Sequence, residues 1–482
     1  MAGRIGTIAV IVGCALSATS AVRAQGRGNT NWTTVGNDAQ RSSWLRTDPK
    51  ISPESLAKPG FQPLWKVGLA GQPTPMIVLD PYTGYRGHKS LGFLSGPSDD
   101  IFSIDIDLGV VEWHNHLATS ATACPGGMTS SVTRPTALAI PAAPTGRSGA
   151  IRSGPARGAV GEPNQGVANL LPAPVPARTV AVPVAPATPA VVRPNAVYAL
   201  TSDGMLQTMY VSNGADAAPP LPFLPPNAHA FGLIVVDNVA YAETAHACGG
   251  VPDGVWALDL ATGQVTSWPS GAAGIVGTAG PAFDPDGTLY VATDDALTAL
   301  DPKTLKVKSS FKADFASSPV IFPLGEEILV AAGTLDGILL LDTASHIAPL
   351  STTIEGMTGA LTSWQDNAGT RWLLGAGKAA IVAWKVVDND GPKLQPGWVS
   401  RNMLSPLPPI VVNGVVFSVA GGNPSAPAVL YALDAMTGKE LWNSGATITS
   451  FVKSGGLSAG GSQIYLGTSD GTLYAFGFPM EH

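Results

Sequence analysis

Residues 429–442, VLYALDAMTGKELW, decide the fold. Residues 430–433 are apolar and prone to β structure, so they predict a strand. Asp434 can cap its own turn and Gly438 accepts positive φ, which together predict a short hairpin loop closed by a bulge. Residues 439–442 then run back as the partner strand and end at Trp442.

The same hairpin recurs along most of the chain. Its copies cover residues 101–113, 255–268, 297–311, 338–350 and 429–442, with weaker copies at 197–200 and 381–384 and an eighth begun at 472–476. The residues assigned to the repeat are Trp113, Ala257, Asp259, Gly263, Trp268, Asp301, Asp342, Ala432, Asp434, Thr437, Gly438 and Trp442. The copy around Asp342 lacks the aromatic residue. The period is about 40 residues, which is the spacing of four-stranded propeller blades.

The pattern A-x-D-x-x-T-G-x-x-x-W resembles the repeat of pyrroloquinoline-quinone (PQQ) type β-propellers. That group includes the quinoprotein alcohol dehydrogenases and the propeller lipoprotein of outer-membrane protein assembly. Residues 31–42, 51–54 and 64–67 resemble the lead-in of these proteins. The resemblance implies an all-β fold, an eight-bladed β-propeller of four-stranded antiparallel blades. It also implies that the repeat Trp docks on a small Ala of a neighbouring blade.

The two ends of the chain predict how the ring closes. The chain ends one strand into a blade, after residues 472–476, whereas residues 64–69 resemble a returning strand with no hairpin before it. Pairing these strands would remove two exposed sheet edges.

The predicted organisation is a signal peptide at 1–24, a lead-in at 25–60, the propeller at 61–478 and an insertion at 136–194. Within it, Trp442 is expected to matter more for stability than Trp44 of the polar lead-in.

The N-terminus predicts export. Arg4 precedes an apolar stretch at residues 5–18, and Ala24 before Gln25 is typical of a small-x-small cleavage site. The stretch is too short for a comfortable membrane span, so no span is expected after cleavage. The expected location is periplasmic or secreted. Residues 11–14 also match a lipoprotein box, which leaves lipid anchoring through Cys14 as the alternative.

Composition limits the partner classes. Only 13% of the residues are charged, and 45% are hydrophobic, so the chain has ample material for a core. The net charge of −7 and the pI of about 5.5 argue against a nucleic-acid partner.

Cysteines and low-complexity sequence mark two further features. After signal removal, Cys124 and Cys248 remain, each in a similar Gly-containing loop, and in an exported protein they predict a disulfide. Residues 136–194 are rich in Ala, Pro, Val and Gly without a regular period. They predict a long insertion at blade 2, either a solubilising surface loop or a tether.

The resemblance also implies what a quinone site would need. Quinoprotein dehydrogenases use a catalytic Asp, calcium ligands that include Glu and Asn, and a disulfide between adjacent cysteines. This chain has no adjacent cysteines. No catalytic, cofactor-binding or metal residue is therefore assigned, and the chain is placed closer to the non-catalytic assembly propellers. PQQ with calcium, in an alcohol or sugar oxidoreductase with a degenerate site, is the alternative.

Two groups of polar residues are candidate binding sites. His114 and His116 alternate on one strand, as metal ligands can, although surface histidines are the simpler interpretation. Repeat alignment places a set of polar residues at the rim of the central funnel, where they could hold an anionic ligand or a peptide carboxylate. This set is Arg134, His229, Arg401, Asn402 and Lys453. The simpler alternative is that they are solvated loop residues without a binding role.

These observations together predict an exported binding or assembly scaffold. Its partner would be another exported protein or a cell-envelope component.

Overall fold

The computed structural model confirms an all-β, eight-bladed propeller. It describes residues 31–69, 71–84, 87–117, 132–140, 195–344, 348–353, 357, 359–388, 390–453 and 455–479. Eight antiparallel sheets surround a central axis, and within each blade the strands pair in order from the axis outward. Helical structure in these residues is limited to the single turn Pro53–Leu56 and the 3₁₀ turns Pro97–Asp99 and Cys248–Gly250.

Each complete blade runs from an inner strand at the axis to an outer strand at the circumference. In that order, blade 1 contains Ile77–Gly84, Gly87–Ser95, Asp100–Asp105 and Val110–His116; blade 3 contains Ala230–Val236, Val239–Thr244, Gly254–Asp259 and Val265–Pro269; blade 4 contains Ala282–Phe283, Leu289–Ala292, Ala296–Leu300 and Val307–Lys312. Blade 5 contains Val320–Leu324, Glu327–Gly333, Ile338–Asp342 and Ala348–Thr352; blade 6 contains Thr362–Gln365, Arg371–Ala376, Ile381–Asp388 and Pro392–Val399; blade 7 contains Ile410–Val412, Val415–Ala420, Val429–Asp434 and Glu440–Asn443.

Blade 2 differs from its neighbours and corrects one sequence assignment. Its regular strands are Ala196–Leu200, Met205–Tyr210 and Asp216–Pro222, and its inner strand is reduced to a bridge between Thr133 and Tyr198. Ala196–Leu200 is therefore the second strand, not the hairpin strand that the alignment of residues 197–200 suggested. Of the predicted insertion, residues 141–194 lie outside the described part of the chain.

Blade 8 closes the ring, as predicted. Its first three strands are Ser458–Gly460, Gln463–Gly467 and Thr472–Gly477, and its outer strand is Gln62–Gly68 from the other end of the chain. Trp65 pairs with Ala475 and Lys66 with Tyr474 in antiparallel register. The N-terminal strand thus covers the edge that Thr472–Gly477 would otherwise expose.

The repeat Asp residues shape the hairpin turns. The Asp434 carboxylate accepts hydrogen bonds from the backbone N–H of Met436 at 3.1 Å and Thr437 at 2.9 Å, and from the Thr437 hydroxyl at 2.7 Å. Gly438 follows with φ of +70°. Asp259, Asp301 and Asp342 make equivalent bonds to their own turns. These carboxylates accept hydrogen bonds from their own turns and thereby stabilise a five-residue hairpin loop.

At three blade interfaces a Trp of the outer strand ties one blade to the next through the hairpin turn. The Trp398 indole N–H of blade 6 donates to the Ala435 carbonyl of blade 7 at 2.9 Å, and its ring lies against Gly438. Two other indoles repeat this arrangement: Trp65 bonds Ile106 and lies on Gly109, and Trp113 bonds Val211 and lies on Gly214. The turn Gly of the next blade is therefore part of the docking surface, in addition to the Ala that the family resemblance implied.

Other blade interfaces use different residues. At the blade 3/4 interface Leu305 replaces the turn Gly, and the Tyr241 hydroxyl donates to the Pro302 carbonyl at 2.9 Å. Trp268 pairs with Val255 instead of facing Ala257, so it lies two residues beyond the docking position. Trp442 faces Ala432 within its own blade and packs its ring on other aromatic residues, Phe61 and Phe476.

Two turn glycines allow the docking contribution to be measured. Gly438 and Gly263 have nearly the same φ, +70° and +72°, but a Cβ on Gly438 would overlap Trp398, whereas one on Gly263 would meet no atom within 4 Å. Gly263→Ala should cost about 1–2 kcal/mol, the strain of a left-handed alanine. Gly438→Ala should cost clearly more, because it also displaces the indole. Denaturant unfolding measures both, and equal losses would contradict the docking role.

Candidate functional site

The central channel is the part of a propeller where ligands are usually sought, and here the lead-in runs through it. The inner strand of each blade pairs on one side with its second strand, so its other edge faces the axis with unpaired backbone groups. Residues 31–45, which we call the channel segment, lie along these edges. Most of their side chains are buried, including Trp32, Arg41 and Trp44.

The channel segment bonds to the inner strands of seven blades in succession. Six of its carbonyls accept blade N–H groups at N···O distances of 2.8–3.0 Å, and the Thr34 hydroxyl donates to the Leu233 carbonyl of blade 3 at 3.1 Å. The six pairs, in the order of blades 1, 2, 4, 5, 6 and 7, are Trp32 with Val78, Thr33 with Arg134, Ala39 with Phe283, Gln40 with Ile321, Ser42 with Ser363 and Ser43 with Val411. At blade 7 this contact becomes the short parallel strand Trp44–Leu45.

Local backbone geometry lets the segment follow the ring. Gly36, Asn37, Arg41 and Ser43 all have positive φ, between +54° and +75°. Such residues bend the chain where an extended strand would run straight. At Gly36 a side chain would also crowd the Arg41 backbone, whose Cα would lie 3.1 Å from the added Cβ. The segment therefore circles the axis instead of pairing with one blade.

Arg41 is the main polar group within the channel. Its guanidinium donates to the carbonyls of Pro281 at 2.9 Å, Gly232 at 2.9 Å and Val35 at 2.7 Å, and to the Thr34 hydroxyl at 2.9 Å. Burial lowers the pKa of Arg41 to about 10. All of these acceptors are protein groups. Through the Gly232 and Pro281 carbonyls, the guanidinium connects blades 3 and 4.

Glu243 of blade 3 is the acid that faces this charge. It is only 1% exposed, and burial raises its pKa to about 8, although the positive charge of Arg41 opposes the shift. The second carboxylate oxygen, Oε2, is buried without a hydrogen-bond partner. A carboxyl group in this setting is largely protonated near neutral pH.

A second charged cluster surrounds Trp44 and corrects the expectation for that residue. The Trp44 ring is 2% exposed and is flanked by Arg46, whose guanidinium carbon lies 4.5 Å from the ring centroid, and by Arg371 at 5.6 Å. Arg46 also pairs with Asp38, with an N···O distance of 3.6 Å. Trp44 is thus more deeply buried than Trp442, and its loss is expected to be at least as costly.

The five residues assigned to the funnel rim are dispersed. Arg134 is buried on the inner strand of blade 2, where burial lowers its pKa to about 10. His229 directly precedes the inner strand of blade 3 and lies 5.2 Å from the ring of His246. Arg401 forms a 2.6 Å ion pair with Glu440 of an outer strand. This pair places Arg401 between the outer parts of blades 6 and 7.

Asn402 and Lys453 are exposed, and the Lys453 backbone N–H donates to the Ser469 hydroxyl at 3.2 Å. The five residues do not form one basic site. The repeat alignment counted residues between strands but could not show where each connection crosses from the outer to the inner strand.

His114 and His116 come together on one carboxylate. The His114 Nε2 and His116 Nδ1 atoms lie 2.8 and 2.9 Å from the same Asp100 oxygen, and His114 stacks on Phe102. Among the residues that the structure describes, no three His, Cys, Asp or Glu side chains are arranged to hold a metal ion. The pair is best described as two histidines anchored by one acid.

Cys248 lies in the connection between the second and third strands of blade 3. Cys124 falls outside the described ranges, so the Cys124–Cys248 pairing stays a prediction. No helix within those ranges has the length and apolar character of a membrane span.

Comparison with known proteins agrees with this architecture. Residues 382–477, in blades 6 to 8, match the family model described as outer membrane protein assembly factor BamB. The chain has the fold of the PQQ-repeat propellers. No curated protein sequence matches it significantly.

Solved structures cover nearly the whole chain at low identity. Quinohemoprotein alcohol dehydrogenase from Comamonas testosteroni superposes with a TM-score of 0.60 at 12% identity, covering 94% of this chain and 81% of that one. A europium-containing methanol dehydrogenase gives 0.56 at 10% identity, covering 93% and 98%. BamB from Moraxella catarrhalis gives 0.51 at 11% identity, covering 88% and 99%. Structural similarity at this identity establishes the fold and leaves the activity open.

Sequence reasoning missed the channel segment because its residues show no strand period. Its bonds run one per blade, so neighbouring residues contact different sheets. The available signals were the polar and Gly-containing run at residues 33–43 between two tryptophans, and the arginine within it, Arg41. Neither signal indicates burial on its own.

The Glu243 carboxyl predicts a measurable pH dependence. Its pKa of about 8 in the folded protein exceeds the ordinary value of 4.5, so its contribution to stability is complete below about pH 4.5 and is lost as the pH rises to about 8. Glu243→Gln should therefore remove part of the fall in melting temperature between pH 5 and 8. Glu326→Gln, at an exposed turn, is the matched control and should keep the wild-type profile. Identical profiles for all three proteins would contradict the assignment.

Proposed function

We propose that this chain is an exported propeller that serves as a binding or assembly scaffold, with a protein or other component of the cell envelope as its partner. The observation that carries the proposal is the channel segment. It makes a hydrogen bond to the inner strand of each of seven blades and so places protein groups along the axis. The propeller is therefore a rigid disc whose adaptable parts are its rims and connecting loops.

The residues that line the channel are a poor match for a quinone and its calcium ion. Calcium needs several oxygen ligands, and carboxylates must be ionised to bind it well. The buried acid that faces Arg41, Glu243, has its pKa raised to about 8, and Arg41 already donates to four protein oxygens. The sequence also has no adjacent cysteines. These features favour a scaffold over the alternative, a PQQ-dependent alcohol or sugar oxidoreductase.

The repeat itself is consistent with a docking role. Indole contacts to the turn glycines connect blades 8 to 1, 1 to 2 and 6 to 7, and the paired chain ends close the ring. Such bonds need no cofactor to hold the disc together. The matched family model covers blades 6 to 8, which include the best-preserved copy of the repeat at residues 429–442. This local match supports a role for these blades like the one that the family description names, outer membrane protein assembly.

A quinone titration tests the choice between scaffold and enzyme. Calorimetry of the purified protein with PQQ and Ca²⁺ should give no saturable heat, because the channel segment lies along the axis and its carboxylate, Asp38, is already paired with Arg46 and Ser42. A quinoprotein dehydrogenase treated identically is the positive control. Stoichiometric binding together with dye reduction dependent on an alcohol or sugar would restore the oxidoreductase and overturn the scaffold proposal.

Export is tested by processing of the full-length chain. Expressed in a Gram-negative host, the protein should be recovered from the periplasm or medium with a mature mass that begins at Gln25. Removal of residues 1–24 should keep it in the cytoplasm, and Cys14→Ser should change nothing. A lipid-modified protein beginning at Cys14, or an unprocessed cytoplasmic chain, would contradict cleavage after Ala24.

A further inference from the structure

Two arginines flank the ring of Trp44 at the point where the channel segment ends. The guanidinium carbon of Arg46 lies 4.5 Å from the ring centroid, and that of Arg371 lies 5.6 Å from it. Arg46 directly follows the short strand Trp44–Leu45, whereas Arg371 is the first residue of the second strand of blade 6. The fold thus brings two positive charges from distant parts of the chain to one aromatic ring.

The positive charge of this pair exceeds the negative charge beside it. Within the described ranges, Asp38 is the carboxylate that acts on both guanidiniums. It lies 3.6 Å from Arg46 and also accepts hydrogen bonds from Ser42, from the backbone N–H at 2.9 Å and from the hydroxyl at 2.5 Å. Two arginines therefore share one carboxylate that is already hydrogen-bonded, and a partly uncompensated charge in a buried setting is costly.

Three polar groups of the cluster are buried without a hydrogen-bond partner in the part of the chain that the structure describes. They are the Nε–H groups of Arg46 and Arg371 and the hydroxyl of Ser363, on the inner strand of blade 6. Arg371 is only 4% exposed, and Ser363 is fully buried. Ser363 and Arg371 lie on one face of their blade, because Gln365, which pairs with Arg371, is two residues from Ser363. Buried donors without acceptors are rare in folded proteins and costly.

The chemistry of these groups selects the class of ligand. Two guanidiniums and a hydroxyl supply hydrogen-bond donors around an excess positive charge, and the planar guanidinium matches the spacing of oxygens in an oxyanion. The side chains of Arg46 and Asp38 are each 12% exposed, so the cluster meets solvent over a small area. Such an opening admits a small ion and excludes a molecule as large as a quinone cofactor or a macromolecule.

We propose that Arg46, Arg371 and Ser363 bind a small oxyanion of the sulfate or phosphate type at this end of the channel. The site goes beyond the scaffold function proposed above and does not depend on it. A bound oxyanion supplies acceptors for the unpartnered donors and compensates the excess charge. It also connects the channel segment to blade 6 and, through Arg371 on the ring of Phe322 at 5.8 Å, to blade 5. Binding to the folded state alone stabilises the protein.

Titration with the two anions tests the site. Sodium sulfate and sodium phosphate are titrated separately into the full mature protein by calorimetry, near neutral pH in a chloride-free buffer, and the melting temperature is measured at the same concentrations. The wild type should bind at least one of them in a saturable way with a stoichiometry of one, and its melting temperature should rise accordingly. Sodium chloride is the comparison anion and should bind clearly more weakly, because it cannot accept from several donors through separate oxygens.

Three variants connect binding to the named residues. Arg371→Lys keeps the charge but removes the Nε–H donor, and it should weaken anion binding by about tenfold or more. Ser363→Ala should weaken binding by about threefold or more and keeps the test decisive if Arg371→Lys fails to fold. Lys385→Met is the control: it removes a positive charge from the same blade, where Lys385 lies over Trp372 at 5.1 Å, and should bind like the wild type.

Three results would each overturn the oxyanion site. They are no saturable binding of either oxyanion to the wild type, an affinity for chloride equal to that for the oxyanions, and wild-type affinity in both Arg371→Lys and Ser363→Ala. Each is distinguishable from a failure of the scaffold proposal, which the quinone titration tests separately.

Discussion

The unpaired inner edges of the blades are the constraint on which this structure depends. A propeller directs the free edge of every inner strand toward its axis, where backbone N–H groups would be left without partners. In this chain carbonyls of the channel segment accept one such N–H group from each of six blades, and the Thr34 hydroxyl donates to a carbonyl of a seventh. Because its bonds are distributed over seven sheets, the segment holds the ring together from the inside, as the paired chain ends do from the outside.

The same requirement explains where charge is buried. A segment that turns around an axis cannot satisfy all its own polar groups, and Arg41 bonds to carbonyls that it and the inner strands leave free. Glu243 lies within reach of that charge, yet burial still dominates its pKa. The axis of this propeller is a structural core, whereas its blade interfaces and outer strands differ from blade to blade.

The interfaces between neighbouring blades differ in how they are packed. Three kinds of contact hold neighbouring blades together. In one an indole packs on a turn glycine, in another a tyrosine hydroxyl donates to a carbonyl, and in the third aromatic rings cluster. At the blade 5/6 interface a buried indole, Trp384, packs instead with aliphatic residues such as Leu340. A fold shared with dehydrogenases and with BamB leaves room for different activities, since activity depends on the site that a fold carries and not on the fold itself.

The sequence by itself determined the fold class, the blade number, the turn role of the repeat Asp residues and the closure of the ring by a strand predicted at residues 64–69. These features rest on local chemistry and on a period that recurs, and both are visible along one chain. Only the tertiary structure decided that the lead-in fills the axis, that Trp44 and Arg134 are buried, and that the rim residues are dispersed. Those outcomes depend on contacts between segments up to several hundred positions apart, such as Asn413 with Ile51. The residues next to a position in the sequence do not predict such contacts, because the burial of its side chain depends on the sheets that surround it in the fold.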